Sequence, residues 1–166
     1  MRRREFITAL AFSALLVNVA RATTTLRRIA FFGFELINTS VEPTTTEEVE
    51  RIRMLNEIFS RELSTSGRFE MVPIPDEMRN RIVAGPGIAN CNGCQRDYAK
   101  KLDADLAAWG TVQKVSNLIL NINVYVEEEQ AGELKFVKSV DIRGNTDESW
   151  TRGLNYILRN YFFESL

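Results

Sequence analysis

The chain contains no histidine. Ser-His-Asp and Cys-His nucleophile systems both need an imidazole base, so both are excluded. Covalent haem attachment needs a histidine after the second cysteine, and here that position is Gln95. Cysteine is also scarce, with two residues in 166, both in NCNGCQ at 90–95. Two thiolates cannot close a four-ligand zinc site by themselves. Glycine is thinly spread, and Gly85, Gly87 and Gly93 lack the strand-loop-helix frame of a phosphate-binding loop. No charge dominates, with 21 basic and 22 acidic residues. The longest apolar run, ITALAFSALLVNV, is too short to span a bilayer comfortably.

That run has a specific context. MRRREF precedes it, and Ala20-Arg21-Ala22 follows as a small-x-small cleavage site. A charged start, an apolar middle and such a site describe a secretory signal peptide over residues 1–22. Arg3-Arg4-Glu5-Phe6-Ile7 is similar to the twin-arginine export motif, although Thr8 stands where lysine is often found. An arginine-rich Sec signal is the other reading. No cysteine lies near the cleavage site, so a lipid anchor there is not expected. Residues 23–166 then form the mature chain, expected to be a single globular domain. Cleavage takes away four arginines and one glutamate and leaves 17 basic and 21 acidic residues, a net charge of −4. A mildly acidic domain has no electrostatic reason to hold nucleic acid or anionic lipid.

Arg28–Asn38, RIAFFGFELIN, is apolar on both alternating faces and is expected to be a central strand covered on two sides. Thr46 with Glu47 and Glu48 opens a helix with acid in its first turn. Its stripe is Ile52, Leu55, Phe59 and Leu63. Phe69–Ile74 reads as a second strand, and Pro75–Ala84 as a short helix. A Gly-Pro-Gly turn leads to the cysteines and a helix over about Gln95–Leu102. Leu106–Val115 is a strand. Leu118–Glu127 alternates, with Leu118, Leu120, Ile122, Val124 and Val126 on one face, and Leu134–Arg143 is its hairpin partner. Asn145-Thr146-Asp147 caps a last helix with the stripe Trp150, Leu154, Ile157 and Tyr161, and with Leu158 and Phe162 beside it. The order β-α-β-(α)-α-β-β-β-α predicts an α/β (α+β) two-layer sandwich with one mixed sheet of about five strands.

Cys91 and Cys94 have two main readings. Export to an oxidising compartment favours a structural disulfide over free thiols or a metal site. A CxxC pair at a helix start is also the arrangement that lowers a thiol pKa, and Arg96 lies close by in sequence, so thiol-disulfide exchange is the alternative. Glu127, Glu128, Glu129 and Glu133 read as solvated charges at a hairpin end, with cation binding as the alternative. Arg143-Gly144-Asn145-Thr146-Asp147-Glu148-Ser149-Trp150 is the most distinctive polar run. It reads as a loop and N-cap with Trp150 in the core, or as a contact surface in which Arg143, Asn145, Asp147 and Trp150 serve a partner. No catalytic residue, metal or cofactor is assigned.

Four stretches carry a family resemblance: IAFFGFELINTS, LNEIFSRELSTSGRFEMV, LDADLAAWGTVQKVSNLILNINVYV and AGELKFVKSVDIRGNTDESWTRGLNYIL. Together they resemble a family of secreted proteobacterial proteins known only as a domain of unknown function. The element order is similar to the amino-terminal domain of TolB and to CsgG-like and LpoB-like envelope domains. The matching positions are Leu63, Gly67, Phe69, Val72, Asp105, Gly110, Val112 and Gly132. The resemblance implies a periplasmic, non-enzymatic domain that docks on another periplasmic or envelope protein. The 143–150 loop or a sheet edge is the expected binding surface. TolB's propeller and the anchoring cysteine of CsgG and LpoB have no counterpart here.

Overall fold

The computed structural model describes residues 25–166. The segment read as a signal peptide lies outside the described residues. The elements in chain order are β1 (Arg27–Asn38), α1 (Thr46–Thr65), β2 (Phe69–Met71), α2 (Asp76–Ala84), α3 (Cys94–Lys101), β3 (Leu106–Lys114), β4 (Ile119–Glu128), β5 (Leu134–Arg143) and α4 (Asp147–Ile157). A π turn, Leu158–Phe162, continues α4. The five strands form one mixed sheet in the order β2-β1-β3-β4-β5. β1 runs parallel to both β2 and β3, while β3, β4 and β5 form an antiparallel meander. This is the expected α+β architecture.

Helices α1 and α4 lie on one face of the sheet. The main core there joins Leu55, Phe59 and Leu63 of α1 to Trp150, Leu154 and Ile157 of α4. The sheet contributes the predicted face of β4 (Leu120, Ile122, Val124 and Val126), all fully buried. Thr45 caps α1 in a capping box with Glu48, and Thr146 caps α4 in the same way with Ser149. Each box satisfies amides that the helix start leaves unpaired. The opposite sheet face holds a smaller cluster in which Ala30, Ala107 and Trp109 meet Val72, Ile88 and Ala99. Further along that face, Asn121, Asn123, Ser139 and Asp141 form a polar ladder with Thr111.

Three features differ from the sequence reading, each for a physical reason. β2 ends at Met71 rather than Ile74. Pro73 has no amide hydrogen to continue the ladder. β4 begins at Ile119 rather than Leu118. The Ser116 hydroxyl accepts from the amides of Leu118 and Ile119, which holds 116–119 in a turn and leaves Leu118 72% exposed. The middle strand of the sheet is β3, and β1 stands second. β1 is apolar on both faces because it meets both clusters, and a bulge between Phe31 and Phe34 offsets its register against β3. Gly33 occupies the bulge with φ +97°, a conformation that side chains resist.

Candidate functional site

Three regions hold the residues singled out in the sequence or brought together by the fold. The first is the cysteine pair. Cys91 and Cys94 form a disulfide, and Cys94 is the first residue of α3. Asn92 and Gly93, between them, both adopt positive φ, which closes the short loop. Both cysteines are half-buried, and Cys94 packs on the smaller cluster. Arg96 is committed elsewhere. Its Nε lies 3.2 Å from Glu127 Oε1, and Gln95 Nε2 donates to the other Glu127 oxygen at 2.6 Å. Glu127 is therefore buried and paired, which corrects the expectation of a solvated charge at that position. Its neighbour Glu128 pairs with Arg27 and Lys135 at the surface.

The second region is the end of the sheet where the 39–45, 115–118 and 144–146 loops meet. Trp150 is fully buried, and its Nε1 donates to Asn145 Oδ1 at 3.0 Å. Asn145 Nδ2 donates to Glu48 Oε1 at 2.6 Å and to Asn117 Oδ1 at 3.2 Å. Arg51 donates to Asp147 at 2.7 Å and to Asn145 at 3.2 Å. Lys114 Nζ lies beneath, 2.6 Å from Glu48 Oε1, with Glu42 at 3.7 Å. Burial pushes the Glu48 carboxyl up, but hydrogen bonds from Lys114, the Thr45 amide and Asn145 outweigh it and hold its pKa below the ordinary value. Of the four residues singled out in this run, Asn145 and Trp150 are thus spent on internal bonds. Arg143 and Asp147 are exposed, and Arg143 stands in register with Ile119, which is exposed, as is Leu118.

The third region escaped the sequence reading. A cleft of about 670 Å³ runs beside β1, bounded by α1, the segment after β2, and α2. That volume falls within the usual range of ligand sites. Its lining is mainly apolar, including Phe32, Val72, Ile74 and Ile82, with Asn56, Ser60 and Arg79 as polar members. The Glu35 carboxylate accepts from the amides of Ile88 and Ala89 at 2.5 and 3.3 Å and so holds the Gly85–Gly87 turn against β1. Gly87 is needed there, because a Cβ would stand 2.6 Å from Glu35 Oε2. The length mismatch between a long first strand and a second one cut short by Pro73 is the signal that points to this cleft.

Comparison with known proteins gives the chain its family. Residues 27–162 match the family DUF3280, described as a protein of unknown function (DUF2380). The chain belongs to that family. No curated protein matches it. Among solved structures it is similar to the LpoB C-terminal domain from Salmonella enterica, at 12% identity and TM-score 0.50, over 75% of this chain and 87% of that one. It is also similar to lipoprotein GNA1162 from Neisseria meningitidis, at 14% identity and TM-score 0.52, over 84% of this chain and 98% of that one. At such identities the likeness establishes the shared fold. The LpoB-like relationship drawn from the sequence agrees with it. No helix among the described residues is long and apolar enough to cross a membrane.

Proposed function

We propose that this chain is a non-catalytic, exported binding domain that acts as an accessory to another component of the bacterial envelope. The carrying observation is its fold, shared with the C-terminal domain of LpoB and with a neisserial lipoprotein. The leader-like residues 1–22 support export to the periplasm. The polar groups gathered by the fold are spent on holding the domain together. Asn145, Glu48 and Glu35 all hold backbone or side-chain partners within the domain. The exposed end carrying Arg143, Asp147, Leu118 and Ile119 is one contact surface, supported from below by Asn145 and Trp150.

Fractionation of the native host, followed by cross-linking of the protein in place, tests this reading. The expected result is a processed protein in the periplasmic fraction, cross-linked to an envelope protein. Retention in the cytoplasm would overturn it.

One observation favours a second reading, thiol-disulfide exchange by Cys91 and Cys94. Cys94 opens α3, where backbone amides stabilise a thiolate. Titration of the protein against a glutathione series separates the two. An exchange pair titrates within the poise of the buffer, while a structural bridge stays oxidised.

A further inference from the structure

β1 is twelve residues long and β2 only three. Their pairing ends at Ile29, whose carbonyl takes the Val72 amide at 2.9 Å. Pro73 follows and cannot donate. From Ala30 to Asn38, β1 has a ladder partner on one side alone, in β3. Hydrogen-bonding direction alternates along a strand. Once the bulge is counted in, Phe31, Phe34 and Leu36 turn their backbone groups toward the other side, where the cleft lies. Asn56 Oδ1 accepts the Phe34 amide at 2.7 Å. No backbone bond to the remaining open-side groups of Phe31, Phe34 or Leu36 forms among the described residues.

The sheet's other edge is built differently. β5 carries Lys135, Lys138, Asp141 and Arg143, charges that discourage a foreign strand. The exposed stretch of β1 has no lysine or arginine. It is protected by position instead, recessed between α1 and α2. A recess of this shape excludes the flat edge of a second sheet and admits a single extended chain. Backbone amides and carbonyls without partners select a ligand that has the same groups at the same repeat, which a peptide strand has and most small molecules lack. Neighbouring strands lie about 4.8 Å apart, and alternate side chains of an added strand point to opposite sides. One set would meet Asn56 and Ser60 of α1, and the other Val72, Ile74 and Ile82.

We propose that the recessed edge of β1 receives an extended peptide segment of a partner protein, which adds itself to the sheet beside Phe31–Leu36. The segment carries apolar residues at every second position, seated on Val72, Ile74 and Ile82. This inference rests on the binding-domain reading and adds, apart from the Arg143 end, a second place where such a domain engages a partner.

The test uses a displayed library of random peptides, selected on the purified protein. Selected peptides are then titrated, with amide hydrogen exchange as the readout. Alternating apolar sequences should emerge, and their binding should slow exchange at Phe31 and Leu36 by about tenfold or more. Ser60→Trp fills the cleft from α1, and Val83→Trp narrows it from the exposed lip of α2. Each should weaken binding about tenfold or more while a cooperative thermal transition persists. Gln130→Ala, in the exposed β4–β5 turn, should leave it unchanged. The proposal fails if no peptide is enriched, if both tryptophan variants bind as the parent does, or if protection appears on β5. Such a failure beside a periplasmic, cross-linked protein would leave the binding-domain reading standing. Peptide binding at β1 by a protein that stays in the cytoplasm would do the opposite, supporting strand addition and overturning the exported accessory role.

Discussion

Lys114 Nζ lies 2.6 Å from Glu48 Oε1, and the two side chains are 1% and 0% exposed. The pair ties the last residue of β3 to the first turn of α1. A buried pair contributes little against apolar replacements, but breaking it leaves a buried charge without compensation. Glu48→Gln keeps an acceptor for the Thr45 amide but removes the charge and turns an NH2 donor toward the Lys114 ammonium and the Asn145 amide. It should destabilise the protein by about 3 kcal/mol, read as a lowered denaturant midpoint. Adding Lys114→Met in the same chain should recover most of the loss. If the double variant is as unstable as the single one, the charge is not the cause.

The same pair sets an acid limit. Glu48 has a folded pKa held below its ordinary 4.5. A depressed carboxylate adds stability that is present above the unfolded pKa and is lost as pH falls through the folded one. Melting temperature should therefore be insensitive to this group at neutral pH and should fall on acidification below 4.5. In Glu48→Gln that part of the acid-side slope should disappear.

The Cys91–Cys94 bridge closes a very short loop. In the chain-entropy model it contributes roughly 2 kcal/mol. The Cys91→Ser, Cys94→Ser double variant should keep a cooperative thermal transition with a modestly lower midpoint. Complete loss of that transition would show that the bridge organises the fold, not just the start of α3.

Gly110 faces Phe34 across the β1–β3 ladder, and a Cβ there would overlap the phenyl ring. Gly110→Ala should cost about 1–3 kcal/mol through overpacking, measured by chemical denaturation. Phe34→Leu in the Gly110→Ala chain should relieve part of that cost. Unchanged stability in Gly110→Ala would mean that the ring has room to move.

Local patterns in the sequence are enough to place most elements. Period-two alternation gives β4 its buried face, and threonine followed by acidic first-turn residues marks the starts of α1 and α4. Features joining distant segments are not legible. Glu127 looks solvated among its acidic neighbours because Gln95 and Arg96, its partners, arrive from α3. Asn145 looks like a contact residue because its bonds to Glu48 and Trp150 depend on packing between α1 and α4. The cleft needs both the bulge at Gly33 and the early end of β2, and neither has a periodic signature.

The π turn at Leu158–Phe162 has a consequence for sequence length. An α-helix advances about 100° per residue, and a π turn winds more loosely. The slack rotates Phe162 into the core, where its ring meets Phe59 and Phe136, and leaves Tyr161 over the Lys138 ammonium. The wide turn thus acts as a phase adjuster with one residue in reserve. Removing one residue within 158–162 would tighten the coil to the ordinary pitch. Everything downstream would keep nearly its direction, because four residues at the ordinary pitch cover about the same rotation as five in the wide turn, so a deletion that spares Phe162 would leave its ring among Phe59 and Phe136.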